Sequence, residues 1–177
     1  VIILYTFLGG FLAVCWTDLF QGLLMFFAIT VVPILAYNTV GGFAGIKEAM
    51  IAKEISINLI PEVSLPIVAI ISTMAWGLGY FGQPHILARF MSISSIKKIP
   101  KSMMIAIVWV FISLGGAIVV GLISIPMFNS IPDAEWVFIE MIRKIFNPWV
   151  GGILLAAILS AIMSTIDSQL LVSSSTL

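Results

Sequence analysis

The sequence predicts an all-α integral membrane protein, and three observations carry that prediction. Of its 177 residues, 61% are hydrophobic and only 9% charged, with a mean hydropathy of +1.21, whereas a soluble domain is roughly 45–50% apolar and about 25% charged. The apolar residues gather into runs of about 20, the length a helix needs to cross a hydrocarbon core about 30 Å thick. The charged residues fall in short connections between those runs. Inside lipid only helices or closed barrels satisfy the backbone, and runs this long and unalternating are helical.

Taken in chain order, the residues before Phe11 read as the end of an earlier helix. Gly9 and Gly10 mark a tight turn into the first span, from about Trp16 to Tyr37, with Trp16 as an interfacial anchor; one long helix through this point is the alternative. A loop from Val40 to Ser64 mixes Lys47 and Lys53 with Glu48, Glu54 and Glu62. The second span runs from Leu65 to Leu87. The connection from Arg89 to Lys101 carries Arg89, Lys97, Lys98 and Lys101 with no acid, which places it in the cytoplasm. The third span covers Ser102 to Phe128. The next connection, Asn129 to Asn147, falls outside by alternation, and its Pro132-Asp133-Ala134-Glu135 opening starts a short amphipathic surface helix. The fourth span runs from Pro148 to about Ser174. Residues 1–177 thus read as one transmembrane domain of four full spans plus the end of an earlier helix. The apolar run at Val1 and the helical pattern up to Leu177 are expected to continue in a longer protein.

Two spans are too polar or too broken to be plain anchors. The second holds Gly77, Gly79, Gly82 and Pro84 within a few residues. Each glycine weakens a helix by about 1 kcal/mol and proline removes a hydrogen bond, so here a helix is expected to open and offer bare carbonyls and amides to a ligand. If the stretch is helical, Trp76, Tyr80 and Pro84 share a face and wall a small amphipathic solute, with Gln83 beside them. The plainer account makes the glycines close-packing contacts. In the fourth span Ala161, Ser164, Thr165 and Ser168 fall on one helical stripe. Two hydroxyls and a carbonyl one turn earlier supply part of the shell of a hard monovalent cation; hydroxyls bonded back to their own helix are the alternative. Asp18 and Asp167 are the carboxylates inside the spans, both toward the cytoplasmic side, where they line a cation path or share a proton. For Asp18, capping a helix at an interfacial Trp16-Thr17-Asp18 turn is the competing role.

The remaining chemistry is excluded more simply. Eight basic residues balance eight acidic ones, which offers nothing to nucleic acid. The single Cys15 has no disulfide partner. No phosphate loop, zinc-type spacing or nucleophile elbow occurs, so an enzyme is not expected, nor any cofactor beyond a coupling ion.

The stretch GLGYFGQPHILARFM from Gly77 to Met91 resembles the sodium/solute symporter family, in its sodium/proline branch. Three further stretches agree: YTFLGGFLAVCWTDLFQ from Tyr5 to Gln21, VFIEMIRKIFNPWVGGILLAAILSAIMST from Val137 to Thr165, and SQLLVSSS from Ser168 to Ser175. The resemblance implies part of an inverted-repeat, leucine-transporter-like helical bundle in the cytoplasmic membrane. It implies that the second span is the broken substrate helix, with Trp76, Tyr80 and Pro84 at the substrate and Gln83 as a further candidate. It further implies sodium ligands at Ala161, Ser164 and Thr165 and an acid of the inner sodium pathway at Asp18. In related sugar symporters the neighbourhood of Asp18, Asp167 and Ser168 resembles a second sodium site. The implied activity is sodium-coupled symport of a small solute, L-proline first; pantothenate or a monocarboxylate, or the symporter-like membrane domain of a sensor histidine kinase, are the alternatives.

Overall fold

Glycine sets the first event of the fold. The computed structural model describes residues 2–55, 67–80, 82–131 and 133–176, with the side chains at 76, 78, 80, 175 and 176 outside that description. Helix α1, Ile2–Thr39, is broken at Gly10, whose φ of 53° and ψ of −149° are open essentially to glycine alone. A Cβ on Gly9 would sit 2.4 Å from that of Ala13, a separation that a straight helix never produces. Tyr5 therefore faces Thr17 and Gln21, and the short segment before the turn folds back along the longer one. The turn lies at Gly10 and the helix runs unbroken through Trp16, Thr17 and Asp18, so Asp18 caps nothing.

Downstream, α1 packs on α5, Ile99–Met127, and on α7, Pro148–Thr176. The crossing with α5 is close. Pro33 inside α1 leaves the Ile29 carbonyl without its usual amide donor, and a Cβ on Gly116 of α5 would lie 2.8 Å from that oxygen. Small residues at helix contacts allow this approach in membranes, where association rests on packing more than on water exclusion. Val32 and Ala36 of α1, Ile123 of α5, and Met141 and Ile142 of α6, Val137–Ile145, are all fully buried and centre the core. Phe7, Phe111 and Trp149 point outward and are 83%, 76% and 88% exposed.

Two connections carry more structure than a loop. The stretch expected to be a loop after the first span contains helix α2, Gly42–Ala52, started by left-handed Gly41. It lays Ile46 and Met50, four apart, against α5. Lys53 then donates to the carbonyls of Ile125 and Phe128 at 2.6 and 2.8 Å, satisfying the end of α5. Residues 56–66 of this loop lie outside the described residues. The expected amphipathic helix is α6, entered through a 3-10 turn, Ala134–Trp136, whose first amides are met when Asp133 accepts from Glu135 N at 3.0 Å.

The second expected span is not one helix. It is divided into α3, Ile67–Tyr80, and α4, Pro84–Met91. Among the described residues three helices, Ile2–Thr39, Ile96–Met127 (α5 with its leading 3-10 turn) and Pro148–Ser174, are each long and apolar enough to cross a membrane; residues 56–66, next to the second expected span, lie outside that description. Within the second expected span the described helix is interrupted between Tyr80 and Pro84.

Candidate solute and cation site

The break between α3 and α4 follows from the residues in it. Gly82 sits in a turn, its amide donating to Gly79 O at 3.3 Å. Gln83 is extended, with φ −75° and ψ 118°, because the residue before a proline is driven out of the helical region. Pro84 is then at the first position of α4, where its missing amide costs nothing. Since the helix ends at Tyr80, the four-residue spacing of Trp76, Tyr80 and Pro84 does not continue as one helical face. The side chains of Trp76 and Tyr80 lie outside the described residues. Gln83 and Pro84 are exposed, and no helix packs extensively on α3 among the described residues.

Helix α4, by contrast, is pinned. It packs on α7, and Arg89 near its end reaches inward. One guanidinium nitrogen, Nη2, donates to Asp18 Oδ2 at 2.5 Å and to Ser168 Oγ at 2.6 Å, joining α4 to α1 and α7. Arg89 was counted among the basic residues of the cytoplasmic connection, and only its partners 71 and 79 residues away reveal this second engagement. Its neighbours in sequence offered no signal for it.

Around this ion pair the polar residues of three helices converge. Ser164 faces the Asp18 carboxylate, and the Ser168 hydroxyl donates to Ser164 O at 2.9 Å while accepting from Arg89. Asp167, fully buried, accepts from the Tyr5 hydroxyl on the folded-back segment of α1. Asp18 and Asp167, expected to approach each other, do so within electrostatic range. Each has a second oxygen, Oδ1, that is buried and without a hydrogen-bond partner among the described residues, and Gln21 Oε1 is in the same condition. Buried oxygens of this kind are costly unless a donor or cation meets them. The patch thus gathers two carboxylates, one guanidinium, two serine hydroxyls and a tyrosine hydroxyl.

The stripe on α7 divides. Ser160, Asp167 and Ser168 are buried and Ser164 partly so, whereas Ala161 and Thr165 are exposed on the flank. Thr165 donates to Ala161 O at 3.1 Å, bonded back to its own helix. Ser164 thus belongs to the carboxylate patch, while the Ala161 carbonyl and the Thr165 hydroxyl lie together on the neighbouring face. A groove between α1 and α5, lined by Ile29, Thr30, Pro33 and Gly116 among others, is apolar and far from these charges.

Comparison with known proteins identifies the family. The family model described as "Sodium:solute symporter family" matches residues 1–177. The sodium/proline symporter of Escherichia coli strain K12 is 50% identical over 181 aligned residues, covering 98% of this chain and 36% of its own length. That of Salmonella typhimurium is 49% identical with 98% and 36% covered, and that of Staphylococcus aureus 49% with 100% and 35%. The chain spans about a third of the length of the curated relatives it matches. No solved structure matches it.

Proposed function

The chain belongs to the sodium:solute symporter family, and on that premise we propose that it is part of a sodium-coupled secondary transporter of the cytoplasmic membrane. Its solute is a small molecule, with L-proline first, as the names of the relatives indicate. The family and these names point to a transporter rather than to an enzyme. The observation that carries the reading is the break between α3 and α4 with α4 tied, through Arg89, to the oxygen-rich patch of α1 and α7.

In this reading the solute binds where the helix opens, against Trp76, Tyr80, Gln83 and Pro84, whose freed backbone groups and rings suit an amphipathic amino acid. Sodium binds on α7 at Ala161 O, Ser164 Oγ and Thr165 Oγ1, with further oxygens from outside this stretch. Asp18, with Asp167 and Ser168, forms its inward path or a second cation position. Coupling requires that sodium favour the conformation that binds solute, so each ligand raises the affinity for the other by the same factor. Arg89 would connect the two events, because it sits on the solute helix and on the cation's acid.

The test is uptake of radiolabelled proline by the full-length protein in membrane vesicles, with sodium replaced by choline or potassium. Sodium-dependent uptake, competed by unlabelled proline, is expected. Uptake that ignores sodium, competition by pantothenate or a monocarboxylate alone, or solute binding without uptake would overturn it.

A further inference from the structure

The connection between α4 and α5 carries a charge that the described residues leave unmatched. Of its four basic residues, Arg89 is drawn inward to Asp18. The remaining three, Lys97, Lys98 and Lys101, are exposed and have no carboxylate partner among the described residues; Lys98 donates only to Ser94 Oγ, at 2.9 Å. Of the basic residues elsewhere, Lys53 and Lys144 meet carbonyls at the end of α5 and Arg143 pairs with Glu140, while Lys47 on α2 stands exposed as a single charge. The three lysines also crowd the leading turn and first residues of α5. That is the positive end of the helix macrodipole, where added positive charge is unfavourable without an outside anion.

Their surroundings say which anion. Ile96 and Met91 are 81% and 80% exposed, and Phe90 about half exposed, on a short helix and turn directly preceding a spanning helix. Apolar side chains interleaved with lysines at the end of a span belong at the boundary between headgroups and acyl chains. A free anion would neutralise the charge but would leave Met91 and Ile96 in water.

We propose that Lys97, Lys98 and Lys101, with Phe90, Met91 and Ile96 beside them, form a binding surface for anionic phospholipid headgroups of the membrane leaflet they face. The surface goes beyond the transport reading and depends only on α5 spanning the bilayer, so its test does not involve uptake. Each lysine contributes about fivefold to attraction toward an anionic membrane surface. The attraction weakens with salt, because screening shortens its range.

The experiment measures spin-labelled phosphatidylglycerol against spin-labelled phosphatidylcholine at the surface of the full-length protein, reconstituted in phosphatidylcholine vesicles. The expected result is a preference for phosphatidylglycerol that falls in the variant carrying K97Q, K98Q and K101Q. The preference should survive in the variant with K97R, K98R and K101R, and in K47Q on α2. Equal preference in wild type and the glutamine variant would overturn the proposal, as would its loss in the arginine variant. Competition by 10 mM inorganic phosphate at constant ionic strength would also overturn it, by assigning the site to a free anion.

Discussion

If sodium passes Asp18 as proposed, Arg89 competes with it for one carboxylate, and substituting Arg89 measures that competition. The guanidinium lies 2.5 Å from Asp18, whose side chain is 15% exposed, while that of Arg89 is 47% exposed. Breaking a fully buried pair costs about 3–5 kcal/mol, and an exposed one contributes about 0.2–1 kcal/mol. This half-open pair belongs between them, at about 1–2 kcal/mol, or about 5–30-fold in an equilibrium constant. Arg89→Gln leaves the Asp18 charge in place and removes its competitor, so the sodium concentration for half-maximal proline uptake should fall by that factor. Arg89→Lys should fall between, since an ammonium cannot hold Asp18 and Ser168 with the same planar geometry. Asp18→Asn should raise the sodium requirement, and adding Arg89→Gln to it should then change little, the two effects being coupled. Kinetics in vesicles containing the full-length protein provide the assay. A half-saturating sodium concentration unchanged within twofold in Arg89→Gln, or additive effects in the double variant, would refute the reasoning.

Three further outcomes follow from other contacts. Ser164→Ala should raise the half-saturating sodium concentration about tenfold, as loss of one hydroxyl ligand costs about 1–1.5 kcal/mol; Thr165→Ala should do less, its hydroxyl being shared with Ala161 O, and unchanged sodium affinity in both would remove α7 from the cation site. Gly116→Val should destabilise the α1–α5 crossing by about 1–3 kcal/mol through overpacking against Ile29, lowering the thermal midpoint of the purified protein in detergent, whereas Gly115→Ala, with open space around it, should leave it unchanged. Lys53→Gln removes the charge that meets two carbonyls at the end of α5; faster amide exchange across Gly42–Ala52 is expected, from a loss of about 1 kcal/mol at this exposed site.

What the sequence determined by itself is what depends on neighbours along the chain. Hydropathy and length specify the helices of the first, third and fourth spans, because a backbone in lipid has no other way to satisfy its hydrogen bonds. The turn at Gly10 and the break before Pro84 were legible for the same reason: left-handed backbone selects glycine, and proline expels its predecessor from the helix. Helix α2 escaped notice because mixed charges mask the single pair Ile46 and Met50 that anchors it. Tertiary structure alone decided which charges meet. Whether Arg89 faces headgroups with its three lysine neighbours or reaches Asp18, and whether Tyr5 meets Asp167 across 162 residues, depends on how α1 folds back and where α7 packs. Pairing of this kind is set by distance in space, which hydrophobic period and local propensity do not encode.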